Sequence, residues 1–306
     1  MAAAIVMRIG KDEVQVMCHY NRGMRNALTF SLLATILAFP AAAQVSDGDQ
    51  HWTARAEGHQ GGHAKATQID GAITAFQRAV MQEPNSLEAR WKLLRAIRFK
   101  GAYVASTDDE KKRIYAFGKS EGKASIDVIN KTLAAKGVKA NAREKVVADA
   151  ARTIVGAGEV FFWDSVNWGE WALAYGKIAA VREGAADRIR REATIAMLVD
   201  SKIEGGGPQR VLGRLHDQTP HIPFITGWAS SEEAVRFLKE SNRIDPTNKI
   251  TRVFLADAMV SDESKSKPEA IRILREVINS PNDPNFEVED ARAQEDAKAL
   301  LKDWDA

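Results

Sequence analysis

The residues whose types and spacing could do chemistry are concentrated between positions 161 and 230. Trp163, Trp168 and Trp171 are five and three residues apart, and Trp228 lies further along the same segment. On one helix face these rings would form an aromatic wall, which suits an apolar or amphipathic ligand because flat rings give a large contact area at low entropic cost. The alternative is packing between helices, since buried aromatic side chains normally do no more than pack.

Two arginines in the same segment could hold an anion. Arg210 and Arg214 are one helical turn apart, so both side chains would point the same way. A pair of guanidinium groups makes a good clamp for a carboxylate. The alternative is that the two arginines form structural pairs with Glu170, Glu204 or Asp217.

The remaining polar candidates lie close to these residues. Asn167 opens the triplet Asn167-Trp168-Gly169, which has the pattern of a helix break, and such breaks often line cavities. The predicted ligand-binding set is therefore Trp163, Asn167, Trp168, Trp171, Arg210, Arg214, His216 and Trp228. Its tryptophans and arginines are expected to gather around one cavity or groove.

No motif for catalysis, metal binding or cofactor binding is complete in this sequence. His59 and His63 have the i, i+4 spacing of zinc ligands, but the glutamate of an H-E-x-x-H motif is missing and Gly61 and Gly62 favour a bend. There is no phosphate loop and no G-x-S-x-G nucleophile elbow. The sequence predicts no catalytic residue, no metal and no cofactor, and hence a protein that is not an enzyme.

The elements that must position these residues carry a repeat. The pattern A-x-x-x-F/L-x-x-A/S-x-x-x-x-P begins at Ala72 and again at Ala234, and a looser copy begins at Ala270 with its proline one place early. It matches the second helix of a tetratricopeptide (TPR) repeat, in which small residues allow close helix approach and the proline ends the helix. Ala72, Ala79 and Ala234 are therefore predicted to be buried between helices.

Helical periodicity extends along the rest of the chain. Apolar residues at one-face spacing predict a helix over 69–80 that ends before Pro84, and another long face from 147 to 162. Start signals occur at Thr107, Asn141 and Ser230, each three residues before a glutamate. The predicted fold is all-α, a TPR-like helical-hairpin solenoid interrupted by a non-repeat central segment.

The N-terminus has the pattern of a secretory signal. Arg22 and Arg25 precede an apolar run that is too short to span a bilayer, and an Ala-Ala-Ala exit follows it. Cleavage is predicted after Ala43. Residues 1–43 are thus an N-terminal extension and signal peptide, whose true start is Met1 or Met24, and residues 44–306 are a single domain.

Charge and cysteine content limit the possible partners. Residues 1–43 hold four basic and two acidic residues, so residues 44–306 hold 39 of each. This balance predicts neither nucleic-acid binding nor strong membrane binding. The single cysteine, Cys18, precedes the predicted cleavage site, so the mature chain would have neither disulfides nor a lipid attachment.

Three central motifs carry a more specific likeness. In chain order they are FFWxxxNWGEW, RxLGRLH from Arg210 and PxIPFITGW from Pro220. With HWTARAEG from His51 and the repeat at Ala72, they resemble the TRAP transporter T-component family over roughly residues 50–300. One difference is that lipid-anchored members have a cysteine at the cleavage site, where this chain has Gln44.

The resemblance implies a periplasmic, TPR-like protein that associates with a TRAP-type solute-binding protein. It also implies a possible homo-oligomer, a trimer in some members, with a central pore. We therefore expect a non-catalytic transport component that binds this partner and possibly a small amphipathic or carboxylate ligand. The alternative is a general periplasmic TPR scaffold for protein–protein interaction, without a small ligand.

Overall fold

The structure is a computed structural model that describes residues 40–221, 226–262 and 266–305. Across these ranges the chain is helical, with no strand and an isolated backbone bridge between Gln60 and His63. The predicted all-α class is confirmed. The predicted leader up to position 39, with Cys18, and the apolar loop residues 222–225 lie outside the described residues.

Four helices build the N-terminal half, each packed against the next along the chain. Their apolar stripes meet in one cluster around Ile69, Phe76 and Phe99, each at most 2% exposed. The helices are α1 (Ala41–Thr53), α2 (Ala66–Gln82), α3 (Leu87–Tyr103) and α4 (Asp108–Ala135). The predicted helix over 69–80 is thus part of α2.

The central segment adds five helices. The longest, α6, packs on both α3 and α4, and α8 then packs on α6 and α5. This arrangement buries the α6 aromatic residues on several sides. The helices are α5 (Glu144–Ala151), α6 (Ala157–Tyr175), α7 (Lys177–Arg182), α8 (Ala185–Val199) and α9 (Gly207–Gln218).

Four helices complete the chain and return to its beginning. They are α10 (Ser231–Ile244), α11 (Lys249–Asp262), α12 (Lys267–Asn279) and α13 (Glu287–Asp303). Each packs on its predecessor, and α13 also packs on α11. Val288 at the start of α13 is fully buried in the N-terminal cluster with Ile69 and Phe99. The last helix therefore lies against the first ones, within one compact unit that contains all the described residues.

The predicted burial of three alanines is confirmed. Ala72, Ala79 and Ala234 are all 0% exposed. Two of the three predicted helix starts are also confirmed, because the hydroxyl of Thr107 accepts a hydrogen bond from Glu110 N at 3.2 Å and that of Ser230 accepts one from Glu233 N at 3.3 Å.

Three local predictions are wrong. No side chain caps α5, which follows Arg143 rather than Asn141. The apolar face from 147 to 162 is not one helix, because Gly156 adopts a left-handed conformation, φ 84°, between α5 and α6. Asn167-Trp168-Gly169 is no break either, since α6 runs unbroken through it. Burial of Asn167 within the helix packing stabilises α6 there.

Candidate functional site

A cleft of about 310 Å³ lies between the two halves of the helical array. One side comes from α3, α4 and α6, and the other from α11 and α13. Its lining combines charged, phenolic and apolar side chains: Arg98, Ala102, Tyr103, Asp108, Lys111, Tyr115, Glu170, Leu173, Ala174, Ile250, Val253, Phe254, Glu289, Arg292, Ala293 and Asp296. This mixture is typical of pockets for small organic ligands.

A hydrogen-bonded network forms the polar part of the cleft on α3, α4 and α6. Arg98 Nε donates to Glu170 Oε1 at 3.0 Å, and Arg98 Nη1 donates to the Tyr103 hydroxyl at 2.9 Å. Tyr115, 3% exposed, lies beside Glu170. The network joins three helices, so it fixes the positions of its own side chains.

Burial dominates the protonation behaviour of this network. It raises the pKa of Tyr103 and of Tyr115, and the Glu170 carboxylate raises that of Tyr115 further. Burial alone would lower the pKa of Arg98, but Tyr103 and Glu170 outweigh it and hold that pKa above its usual value. At neutral pH the network therefore has two neutral phenols and a charged guanidinium group.

The opposite side of the cleft is apolar on α11 and charged on α13. Ile250, Val253 and Phe254 supply the apolar surface. On α13, Arg292 Nε donates to Asp296 Oδ1 at 2.9 Å. Among the described residues Lys111 has no ion-pair partner, so it is the cleft cation that could meet an anionic group of a ligand.

The tryptophans of the predicted set do not share one cavity. Trp163 lies in the core between α3, α5, α6 and α8, edge-to-face with Phe162 at 4.8 Å. Trp168 and Trp171 belong to a different cluster with Tyr115, and Lys119 Nζ is 4.3 and 3.9 Å from their ring centres. At 9%, 5% and 6% exposure respectively, these three side chains pack in the protein interior.

Asn167 has a structural environment as well. Its Nδ2 donates to the carbonyl oxygens of Leu94 at 3.1 Å and of Trp163 at 2.8 Å. Its Oδ1 lies where a Cβ on Gly118 would stand, 2.3 Å away. Asn167 therefore joins α6 to α3 and to a close-approach glycine of α4.

Both arginines of the predicted clamp are engaged within the protein. Arg214 Nη1 donates to Asp217 Oδ2 at 2.7 Å and to Asp257 Oδ2 at 2.8 Å. Arg210 donates to Thr251 Oγ1 at 3.0 Å and to the Glu204 carbonyl at 3.2 Å. Burial lowers the pKa of Arg210, and Glu204 opposes that shift. The structural pair considered with Asp217 is found for Arg214, whereas Arg210 bonds to the Glu204 backbone and to a hydroxyl rather than to a carboxylate.

His216 and Trp228 form a separate group. Their rings meet edge-to-face at 5.1 Å, and Trp228 Nε1 donates to Asp187 Oδ1 at 3.1 Å. Burial lowers the pKa of His216, which favours the neutral ring that accepts from Ser230 N at 3.3 Å. The expectation that the predicted set gathers around one cavity is therefore wrong, and a role for its single members in ligand binding stays a prediction.

No pattern in the sequence marks the residues of the cleft as a site. Arg98 and Glu170 are 72 positions apart, and each looks like an ordinary charged residue on an amphipathic helix. The available signal was their position, because Arg98 lies between the apolar Ile97 and Phe99, and Glu170 lies between Trp168 and Trp171. A charged residue flanked by large apolar ones along a helix is often partly buried, and a buried charge needs a partner.

Comparisons add no relative on which to base a function. No family model matches the chain, and no curated protein is significantly similar to it. Within the described ranges, no group of three or more His, Cys, Asp or Glu side chains could hold a metal ion. None of the described helices is both long and apolar enough to cross a bilayer.

Proposed function

We propose that this chain is a non-catalytic periplasmic component of a TRAP-type transport system. It would bind a solute-binding protein and, in the cleft between its two halves, a small amphipathic solute. The observation that carries the proposal is the cleft itself, which combines the apolar α11 surface with a fixed polar network. The central motifs that resemble the T-component family give the class of transport system.

A TPR-like solenoid is the architecture that fits this proposal. Helices pack on their neighbours in chain order over most of the sequence. The repeat alanines Ala72, Ala79, Ala234 and Ala270 are all fully buried. Helical-hairpin arrays of this kind form concave surfaces that bind ligands and partners.

The ligand proposed for the cleft has an apolar body and one polar end. Its body would lie against Ile250, Val253 and Phe254. A carboxylate at its other end would pair with Lys111, because the other cleft cations, Arg98 and Arg292, already bond to Glu170 and Asp296. A pocket of this size would select a ligand that buries its apolar body and its carboxylate at the same time.

The test is direct binding of purified proteins. Residues 44–306 would be titrated calorimetrically with each TRAP-type solute-binding protein of the same organism, with and without its solute. One of these pairs should bind, and Phe254→Ala should weaken binding of the solute in the cleft without abolishing the protein complex. No binding by any pair would refute the transport role.

Export is tested separately by the intact mass of the protein in a periplasmic extract. We expect a chain that begins at Gln44 and has no acyl group. In the structure α1 begins at Ala41, so cleavage after Ala43 would shorten its first turn. A mass that includes residues 1–43, or an added lipid, would contradict the periplasmic and unanchored location.

A general protein–protein scaffold is the second candidate function, and exposed apolar side chains near the end of α6 and on α7 favour it. Leu173 at the end of α6 is 68% exposed, and Ile178 and Val181 on α7 are 80% and 58% exposed. Ile178 and Val181 are three residues apart and so share one face of α7, and exposed apolar side chains on one face often mark a protein contact. If the titrations fail but an Ile178→Asp variant disrupts an assembly in the cell envelope, the scaffold function is the correct one.

A further inference from the structure

The segment that follows α1 joins the two ends of the helical array. Arg55, 6% exposed, donates from Nε and Nη2 to Glu289 Oε1 on α13, at 3.0 and 2.8 Å. Its Nη2 also donates to the Asn285 carbonyl, just before α13, and its Nη1 donates to the Trp52 carbonyl at 3.3 Å. One guanidinium group thus connects positions more than 200 residues apart.

Aromatic rings enclose this guanidinium group. Its central carbon lies 4.4 Å from the ring centre of Trp52, 5.6 Å from that of Phe99 and 5.8 Å from that of Phe286. Trp52 and Phe99 come from the N-terminal half, whereas Phe286 precedes α13. A planar cation stacked on rings and fixed by forked hydrogen bonds has one orientation, which a lysine could not reproduce.

A second contact holds the same two parts together. Gly62 N donates to Glu295 Oε1 on α13 at 2.8 Å. A Cβ at Gly62 would lie 2.7 Å from the Cα of Arg292, so the backbones of the segment and of α13 touch. Segment 55–62 is therefore packed directly on α13, and we refer to it as the clasp.

The clasp lies next to the cleft. Glu289, which accepts both hydrogen bonds from Arg55, is itself a cleft residue, as are Arg292 and Asp296 on the same helix. The facing side of the cleft comes from α3, α4 and α6. The position of α13 relative to those helices therefore sets the width of the cleft.

We propose that Arg55 is a positioning residue that holds α13 against the N-terminal helices and thereby sets the width of the cleft. Without its guanidinium group, the buried Glu289 carboxylate would lose its hydrogen-bonded cation and keep, among the described residues, only the electrostatic interaction with Arg95, which does not bond to it, and this loss is strongly unfavourable. The N-terminal end of α13 would move outward until water reached Glu289. That movement would widen the cleft on the side of α13. The relevance to transport rests on the proposed function, but the structural role of Arg55 does not.

Hydrogen exchange measured by mass spectrometry on residues 44–306 tests the structural role without a ligand. In Arg55→Met, amides of α13 should exchange at least about tenfold faster than in the wild type, while those of α6 keep their rates. Unchanged protection of α13, or an equal loss of protection over all helices, would overturn the proposal.

The matched control is Arg191→Met. Arg191 has a similar set of bonds, one to Glu144 Oε1 at 2.9 Å and two to the carbonyl oxygens of Ala140 and Ala142 at 2.8 and 2.7 Å. It connects α8 with the start of α5, away from the cleft. Its loss should leave α13 exchange unchanged, and faster α13 exchange in this variant would also count against the clasp.

A second variant applies if Arg55→Met does not fold. Glu289→Gln keeps an acceptor for Arg55 but removes the charge, so α13 exchange should increase by a smaller factor, about threefold. Identical exchange in Glu289→Gln and the wild type would refute the proposal. These exchange measurements involve no partner protein. The proposed role of Arg55 can therefore be confirmed even if the titrations with solute-binding proteins show no binding.

Discussion

Adding one methyl group at Gly122 should destabilise the protein, although alanine is the better helix former. Gly122 lies on α4 where that helix meets α6. A Cβ there would stand 1.8 Å from Asp164 Oδ1 and 2.7 Å from its Cγ. Asp164 is 0% exposed, and its Oδ2 accepts from Arg188 Nη2 at 2.9 Å, so this carboxylate has no room to retreat.

The expected change in the free energy of unfolding is the sum of two losses and one gain. Overpacking a close helix contact costs about 1–3 kcal/mol. Displacing a buried, charge-assisted hydrogen bond costs roughly another 1–3 kcal/mol. The helix propensity of alanine over glycine returns about 1 kcal/mol. Gly122→Ala should therefore lose about 1–5 kcal/mol, which lowers the Tm by at least about 2 °C for a chain of this length.

Gly169→Ala is the matched control, on the facing helix α6. A Cβ at Gly169 meets no atom within 4 Å, so only the propensity gain of about 1 kcal/mol remains. Urea unfolding followed by circular dichroism at the helix band would compare the two variants with the wild type. If Gly122→Ala is as stable as Gly169→Ala, the close approach of α4 and α6 around Asp164 is wrong.

Two further variants test packing and protonation. Ala234→Leu should overpack the fully buried face of α10 and lower the free energy of unfolding in urea by about 1–3 kcal/mol. The control Ala299→Leu, at an exposed position of α13, should change that free energy by less than about 0.5 kcal/mol. Equal effects of the two variants would contradict the repeat assignment. Burial and the neighbouring Asp164 raise the pKa of Glu192 above its ordinary 4.5, whereas Arg188 and Arg191 oppose the shift. The stability that protonated Glu192 contributes is therefore fully present below pH 4.5 and is lost as the pH rises from there towards the raised pKa. Glu192→Gln, which mimics the protonated acid, should match the wild type in unfolding at low pH and exceed it near neutral pH, and parallel pH profiles would show that Glu192 is ionised in the fold.

Local signals in the sequence were sufficient for α2 and for the starts of α4 and α10. The apolar spacing from Ile69 to Val80 and the proline at 84 predicted α2, and hydroxyl caps at Thr107 and Ser230 predicted the starts of α4 and α10. These features succeed because a helix is decided by contacts within a few residues. Buried alanines in the repeat could be predicted for the same reason, since they need only a fixed spacing.

The sequence misled where burial outweighed local preference. Asn167 and Gly169 weaken a helix in isolation, yet α6 continues through both because Asn167 bonds to Leu94 O on α3 and to its own helix. The expected gathering of the candidate residues around one cavity failed in the same way. Aromatic rings and arginines that are close in sequence point from α6 and α9 into different clusters, since each helix face has its own neighbour.

The sequence by itself determined the helical class, a few helix boundaries and the small residues between helices, all of which depend on spacing along the chain. Tertiary structure alone decided the cleft and the clasp. Arg98 meets Glu170 across 72 positions and Arg55 meets Glu289 across 234, and no local pattern specifies such pairs. They form because the helical array returns on itself, which depends on the summed packing angles of many helices.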